Sequence, residues 1–153
     1  MLDLRSLEGQ VESAIAAARI PGLALGVVQG ERVVYARGFG VTCVEPHGQP
    51  VTADTLFRIG SVTKPLTGTV IMRLVDAGKL DLDTPVREYV PWFRVSDAKE
   101  VRKITPRLLL SHTSGLPHDH KPSGPRDDGA LERRIREEVP RYPLVAPPGT
   151  KFS

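Results

Sequence analysis

The pattern that most constrains the fold is a single predicted β-hairpin, followed only by helical and loop patterns. Apolar runs at 23–28 and 33–39 flank Gln29-Gly30-Glu31, a turn signal that joins the strands of a hairpin. A sheet of two strands is at best marginally stable in water. We therefore expect the hairpin either to pack on the helices or to have strand partners outside this sequence. The composition does not choose between these alternatives.

Apolar periodicity predicts helices on both sides of the hairpin. A helix over 2–19 should end at Pro21-Gly22. A second should run from about Ser61 to Ala77, closed by Gly78. The first helix has an apolar stripe at Leu7, Val11, Ile15 and Ala18.

Two shorter helices are predicted in the second half of the chain. One spans about 106–112 and is expected to be closed by Gly115. The other follows the possible cap Asp127-Asp128. Its expected apolar stripe consists of Leu131, Ile135 and Val139.

The composition is typical of a soluble globular protein, with 40% hydrophobic and 25% charged residues. The net charge of +3 is dispersed, since Arg133-Arg134-Ile-Arg136 is followed directly by Glu137-Glu138. This pattern argues against a nucleic-acid partner. No apolar run is as long as a membrane span, and the first residues lack the apolar core of a signal peptide. We therefore expect a cytoplasmic protein with no membrane partner.

Several other reactive residue types are expected to be structural. The single cysteine, Cys43, excludes an intrachain disulfide and is predicted to be a small buried residue. His118-Asp119-His120 has too few ligands for a closed metal site, so no metal and no cofactor are expected. His112 has no evident acid partner for a triad and is expected to pack or hydrogen-bond. Trp92 and Phe93 are expected in the core, whereas Thr63 and Thr67 could line a site or simply cap and pack.

The sharpest candidate for chemistry is Gly60-Ser61-Val62-Thr63-Lys64, at the start of the second predicted helix. Ser61 and Lys64 are three residues apart, so on a helix the amine can reach the hydroxyl. Burial and the positive end of the helix both disfavour an ammonium, which favours a lysine that accepts a proton. The pattern therefore fits a Ser/Lys acyl-transfer nucleophile. However, serine is also a common N-cap residue, and Ser-x-x-Lys occurs by chance in many proteins.

Further motifs follow this one in order, and together they cover nearly the whole chain. With them the sequence resembles the serine β-lactamase-like family, which includes class C β-lactamases, penicillin-binding proteins, and related esterases and D-amino-acid peptidases. The Leu-Leu-Ser-His-Thr-Ser-Gly stretch is the most specific of them. The segments are Phe57-Arg-Ile-Gly-Ser61-Val-Thr-Lys64, Leu80-Asp-Leu-Asp83-Thr-Pro85, Leu108-Leu-Leu-Ser-His112-Thr-Ser-Gly115 and Pro147-Pro-Gly149-Thr-Lys-Phe152-Ser.

The resemblance implies that Ser61 is the nucleophile that forms an acyl-enzyme and that Lys64 activates it. It also implies a tyrosine motif and a Lys-Thr-Gly or His-x-Gly strand, and neither occurs in this sequence. We therefore interpret the chain as an N-terminal fragment of a serine hydrolase that acts on a small ester or amide. The missing signal peptide favours carboxylesters over β-lactams. The alternative is a catalytically silent fragment, a remnant or interaction partner that needs a C-terminal complement.

The fold implied by the resemblance is the α/β (α+β) β-lactamase/transpeptidase-like fold, an antiparallel sheet with flanking helices plus an all-helical domain. Residues 1–58 would supply the N-terminal helix and hairpin of the α/β domain. Residues 59–153 would begin the helical domain with the Ser-x-x-Lys helix, and the C-terminal part of the sheet would be missing. A hairpin without its strand partners would expose an apolar face, so self-association is expected.

Overall fold

A computed structural model describes residues 4–118 and 127–152. Its contacts divide the chain into two compact units, residues 1–59 and 60–153. The first unit contains helix α1 (Leu4–Ala18) and strands β1 (Gly22–Gln29) and β2 (Arg32–Gly40). The second contains helices α2 (Thr63–Asp76), α3 (Val86–Tyr89), α4 (Pro106–Leu110) and α5 (Ala130–Arg133). It also contains 3₁₀ turns at Gly60–Val62, Val101–Lys103 and Val139–Arg141 and a π-helical turn at Arg134–Glu138.

The predicted hairpin is present, and each strand is slightly longer than expected. β1 and β2 pair antiparallel from Gly22 opposite Gly40 to Gln29 opposite Arg32, with an irregularity between Val27 and Val28. Gly30 opens the turn with a φ of +61°, a conformation that glycine adopts without steric cost. Within the described residues these two strands form the whole sheet.

The hairpin contacts α1 through polar side chains, and both alternatives that the sequence left open stay compatible with this contact. The Glu8 carboxylate accepts a hydrogen bond from the Tyr35 hydroxyl at 3.0 Å and pairs with the Arg37 guanidinium. The hydrogen bond from Arg37 lowers the pKa of Glu8. The predicted stripe of α1 is half-buried at Leu7, Val11 and Ile15, although Ala18 at its end is exposed.

The core of the second unit is built from short elements rather than from long helices. Four buried side chains form its centre: Phe93, Val95, Val101 and Ile104. They contact half-buried residues of α3, of the turns near the end of the chain and of the segments between them. Phe93 therefore lies in the core, as predicted, while Trp92 is half-buried under the Arg136 guanidinium, 4.0 Å from the ring centroid.

A bidentate ion pair ties the segment before α3 to α4. Arg107 Nε and Nη2 each donate to a carboxylate oxygen of Asp83 at 2.7 Å, and the Arg107 amide donates to the Leu82 carbonyl at 3.0 Å. The hydrogen bonds from Arg107 lower the pKa of Asp83. This contact fixes the Leu80–Pro85 motif against the Leu108–Gly115 motif.

Helix α4 ends earlier than predicted, and Gly115 is not the residue that closes it. The helix stops at Leu110, and His112 takes the left-handed conformation with a φ of +57°. The amides of His112 and Thr113 then donate to the carbonyls of Leu109 and Leu108, at 3.3 and 2.9 Å. These two bonds form a Schellman motif, which requires its left-handed residue two positions after the last helical one. Gly115 lies too far along the chain for that position.

The last helical segment also differs from its predicted form. Neither Asp127 nor Asp128 is the cap residue: Gly129 occupies the N-cap position of α5, and the Asp127 carboxylate accepts from the Gly129 amide at 3.0 Å in the turn before the helix. α5 has only four residues and continues into the π-helical turn. Because a π turn contains more residues than an α turn, Leu131 does not share the buried face of Ile135 and Val139 and is exposed. The predicted three-residue stripe was therefore wrong at Leu131.

No helix in the described ranges is both long and apolar enough to span a membrane.

Candidate active site

Ser61 lies in a single 3₁₀ turn that begins at a glycine in the left-handed backbone conformation. Gly60 has a φ of +52°, and residues Gly60–Val62 make the turn that leads into α2. A Cβ atom at Gly60 would meet no atom within 4 Å, so the backbone conformation rather than space favours glycine here. Pro65 is tolerated because it lies in the first turn of α2, where an N–H would have no intrahelical partner.

Ser61 and Lys64 are in direct contact. Lys64 Nζ donates a hydrogen bond to Ser61 Oγ at 2.8 Å, the reach expected for residues three apart at the start of a helix. An amine at this distance could take the hydroxyl proton when the oxygen attacks a carbonyl. The geometry is therefore suited to nucleophilic chemistry at Ser61.

The start of α2 also offers backbone donors. Val62 occupies the N-cap position, and its side chain makes no capping hydrogen bond. The first turn of a helix leaves amide groups without intrahelical partners, and the helix dipole places partial positive charge there. Such groups can stabilise an oxyanion that forms next to Ser61.

The burial that the sequence argument assigned to Lys64 is not present. Both Ser61 and Lys64 are solvent-exposed, and so are the apolar residues Leu66 and Val70 further along α2. The apolar stripe of the helix is half-buried only at Ile71, Leu74 and Val75. Burial depends on what covers a residue, and residue spacing contains no information about that.

The two threonines that the sequence left undecided have local roles. Thr67 Oγ1 donates to the Thr63 carbonyl at 3.1 Å. Thr67 also lines an apolar cavity of about 250 Å³ beside α2, which the sequence analysis did not find. Thr67 and Ile71 are four residues apart and therefore lie on one face of α2. This spacing was the only sequence signal for a shared surface there. Other lining residues are Leu80, Val86, Tyr89, Val90, Pro106, Leu109 and Leu110.

The weaker candidates are structural or lie outside the described residues. The His112 ring packs on the Phe152 ring at 5.5 Å between centroids, which fits the predicted packing role. Cys43 is exposed, against expectation, because it lies in a surface loop closed by the Thr42–Gln49 backbone contact. Asp119 and His120 are not described. The described residues contain no group of three or more potential metal ligands.

Comparison with known proteins identifies the family. The β-lactamase family model matches residues 7–153. The chain belongs to the β-lactamase family. This confirms the resemblance stated from the motifs.

Relatives within the β-lactamase family include a penicillin-binding protein and an esterase. Penicillin-binding protein 4 of Amycolatopsis lactamdurans is 44% identical over 117 residues, which are 76% of this chain and 30% of that protein. Esterase EstB of Burkholderia gladioli is 38% identical over 121 residues, which are 75% of this chain and 30% of that protein. The chain thus spans 30% of the length of each of these two relatives.

The fold of this β-lactamase-family chain matches solved structures along nearly its full length. The structure of "EstCE1, a hydrolase with promiscuous acyltransferase activity" aligns with a TM-score of 0.75 and 32% identity, over 97% of this chain and 42% of that one. The predicted β-lactamase/transpeptidase-like fold is confirmed.

Proposed function

We propose that this chain is the nucleophile-bearing part of a serine hydrolase, with Ser61 as nucleophile and Lys64 as its base. The observation that supports the proposal is the 2.8 Å contact between Lys64 Nζ and Ser61 Oγ at the start of α2. Membership of the β-lactamase family, whose relatives include a named esterase and a penicillin-binding protein, agrees with it.

The proposed reaction has two steps. Ser61 Oγ attacks the carbonyl carbon of an ester or amide, and its proton passes to Lys64 Nζ. The tetrahedral intermediate collapses, the proton moves to the leaving alcohol or amine, and the acyl group remains on Ser61 as an ester. Water then attacks this ester, releases the acid and restores the serine. No cofactor enters this scheme.

Carboxylesters are the proposed substrate class. Two of the similar proteins support this choice by name, the esterase EstB and the hydrolase EstCE1 with its acyltransferase activity. An ester is also a better acyl donor than an amide because its leaving alkoxide is less basic than an amide nitrogen.

A fluorophosphonate probe tests the role of Ser61. We expect the probe to add its mass to the peptide that contains Ser61, and Ser61→Ala to abolish the addition. Lys64→Met should slow labelling by on the order of 100-fold or more, the range for loss of a general base. Ser13→Ala is the matched control, since Ser13 is an exposed helical serine that donates to the Gly9 carbonyl and should not affect labelling.

A second candidate function is a silent fragment that acts only with a complementary polypeptide. The exposure of Ser61, Lys64, Leu66 and Val70 favours it, because nothing shields the hydroxyl and amine from water. Electrostatic stabilisation of an oxyanion is strong only where water is excluded. In this proposal the chain folds but turns over little substrate alone.

A chimaera separates the two candidates. In it, this chain replaces the matching residues of EstB, and circular dichroism verifies that the hybrid folds. Labelling of Ser61 in the isolated chain supports the self-sufficient hydrolase. Labelling only in the chimaera supports the silent fragment. No labelling in a folded chimaera would overturn the assignment of Ser61 as nucleophile.

A further inference from the structure

The second unit contains a cavity, apart from Ser61 and Lys64, that has an aliphatic wall and an arginine rim. Its volume is about 370 Å³, within the range of small-ligand pockets. Val95, Ala98, Val101 and Pro140 supply the apolar wall, and Arg87 and Arg94 supply the charge; these six residues line it. None of the six is acidic. We call this the Arg87 cavity.

The arginines of the Arg87 cavity lack carboxylate partners, whereas several other arginines of this unit have them. Arg107 pairs with Asp83, Arg134 with Glu138 and Arg136 with Glu132. Neither Arg87 nor Arg94 makes an ion pair or side-chain hydrogen bond with any described residue. The nearest acids in the sequence are Glu88, which is exposed, and Asp97, whose carboxylate accepts from the Lys99 amide at 2.8 Å. Neither forms an ion pair with Arg87 or Arg94.

Arg87 is also distinguished by burial. The other arginines without a carboxylate partner among the described side chains are exposed to solvent. Arg87 is half-buried and forms no ion pair with a carboxylate of the described residues. A partly buried charge is costly unless it is paired. A ligand anion in the cavity would supply that pair.

From this arrangement we propose that the Arg87 cavity binds an organic carboxylate with an aliphatic chain. The carboxylate would contact the guanidinium groups of Arg87 and Arg94, whose planar forks match two oxygens. The chain would lie mainly against Ala98 and Pro140, because Val95 and Val101 are buried in the core behind them. This aliphatic surface is what separates the ligand class from inorganic anions such as phosphate, which would leave Ala98 and Pro140 in contact with water.

The fluorescence of Trp92 can report whether a ligand binds in the Arg87 cavity. Trp92 is the only tryptophan in the sequence, and it lies between Arg87 and Arg94 in the chain, two residues before Arg94. The neighbouring Pro91 borders a second cavity that shares Arg87. Octanoate, titrated below its critical micelle concentration, should change the Trp92 emission saturably. Isothermal titration calorimetry gives the Kd independently of the fluorophore.

Substitutions to methionine, which keep an unbranched stem but remove the guanidinium, test the arginines. Arg87→Met and Arg94→Met should each raise the Kd for octanoate by about tenfold or more, the cost of losing a hydrogen bond to a charged group. Arg32→Met is the matched control, because Arg32 is an exposed arginine without an ion pair in the other unit. It should leave the Kd unchanged. Thermal melting of each variant verifies that it folds. Because Arg94 is exposed, Arg94→Met should fold and remain informative even if Arg87→Met does not fold.

Two further ligands test whether binding needs both the carboxylate and the aliphatic chain. 1-Octanol has the same chain without the charge, and inorganic phosphate has charge without the chain; both should bind at least about tenfold more weakly than octanoate. Octanol binding as tightly as octanoate would overturn the role of the arginines. Phosphate binding as tightly would overturn the role of the aliphatic wall. An unchanged Kd in Arg94→Met would overturn the site itself.

Discussion

At the scale of single residues, the contact between Ser61 and Lys64 depends on where α2 begins. Lys64 is the second residue of the helix, and Ser61 lies just before it in the 3₁₀ turn. The left-handed Gly60 sets the direction from which the chain enters this turn. The 2.8 Å distance therefore results from local backbone geometry and needs no distant part of the chain.

His112 offers a test of backbone strain at one residue. It holds a left-handed φ of +57° and its ring packs on Phe152. A residue with a Cβ atom pays roughly 1–2 kcal/mol in this conformation. His112→Gly and His112→Ala both remove the ring, but only glycine relieves the strain.

We therefore expect His112→Gly to be more stable than His112→Ala by about 1 kcal/mol, after allowance for the greater freedom of unfolded glycine. Urea unfolding followed by circular dichroism measures the difference. Phe152→Ala in combination with each variant controls for the ring contact. If the alanine variant proved as stable as the glycine variant, the strain assigned to His112 would be refuted.

At the scale of elements, α2 is composed of residues that form helices poorly. Its sequence, TKPLTGTVIMRLVD, contains Pro65, Gly68 and three threonines. Two of the threonines, Thr67 and Thr69, donate to the carbonyls of Thr63 and Pro65. The helix therefore depends on its surroundings and on its closure by Gly78, whose φ is +65°.

Two glycine substitutions in α2 should have opposite effects. A Cβ atom at Gly68 would meet no atom within 4 Å, and Gly68 does not have a positive φ. Gly68→Ala should therefore raise the free energy of unfolding by about 0.5–1 kcal/mol. Gly78 also has open space, but its positive φ means that Gly78→Ala should lower it by about 1 kcal/mol. Denaturant titration of both variants checks this. A stabilised Gly78→Ala would contradict the closure described here.

The sequence predicted elements better than it predicted how they end or what covers them. α1, both strands and the start of α2 follow from apolar periodicity and from the positions of glycine and proline. The closure of α4 at His112 was missed because residues other than glycine rarely adopt the left-handed conformation, so a histidine is only a weak signal for it. The π turn at Arg134–Glu138 was missed because its residues are ordinary helix formers. The Ser61–Lys64 contact follows from spacing, whereas their exposure does not.

At the scale of the whole molecule, the hairpin leaves apolar side chains in water. Val28 and Val33 face each other across the strands near the turn and are 65% and 67% exposed. In the described residues neither strand has a second neighbour. Unpaired strand edges with apolar side chains promote association between chains.

We expect the apparent mass from light scattering to rise with protein concentration, and the dye ANS to bind. Val28→Thr combined with Val33→Thr should reduce both signals, since threonine keeps the β propensity but removes apolar surface. Val44→Thr is the control, because Val44 is 81% exposed but lies outside the strands. A wild-type chain that stays monomeric and binds no dye would contradict this expectation.

The close approach at Gly115 has a consequence for how this chain can change in length. A Cβ atom there would collide with the Ala146 carbonyl oxygen, and the amides of Val145 and Gly149 donate to the carbonyls of Gly115 and Thr113 at 2.9 and 2.8 Å. The chain therefore leaves this point after Gly115 and returns to it at Val145. On the way back, Ile135, Val139 and Leu144 pack against the core of this unit. A change in length between the two clasped segments is therefore tolerated only where it preserves both this packing and the register at Gly115.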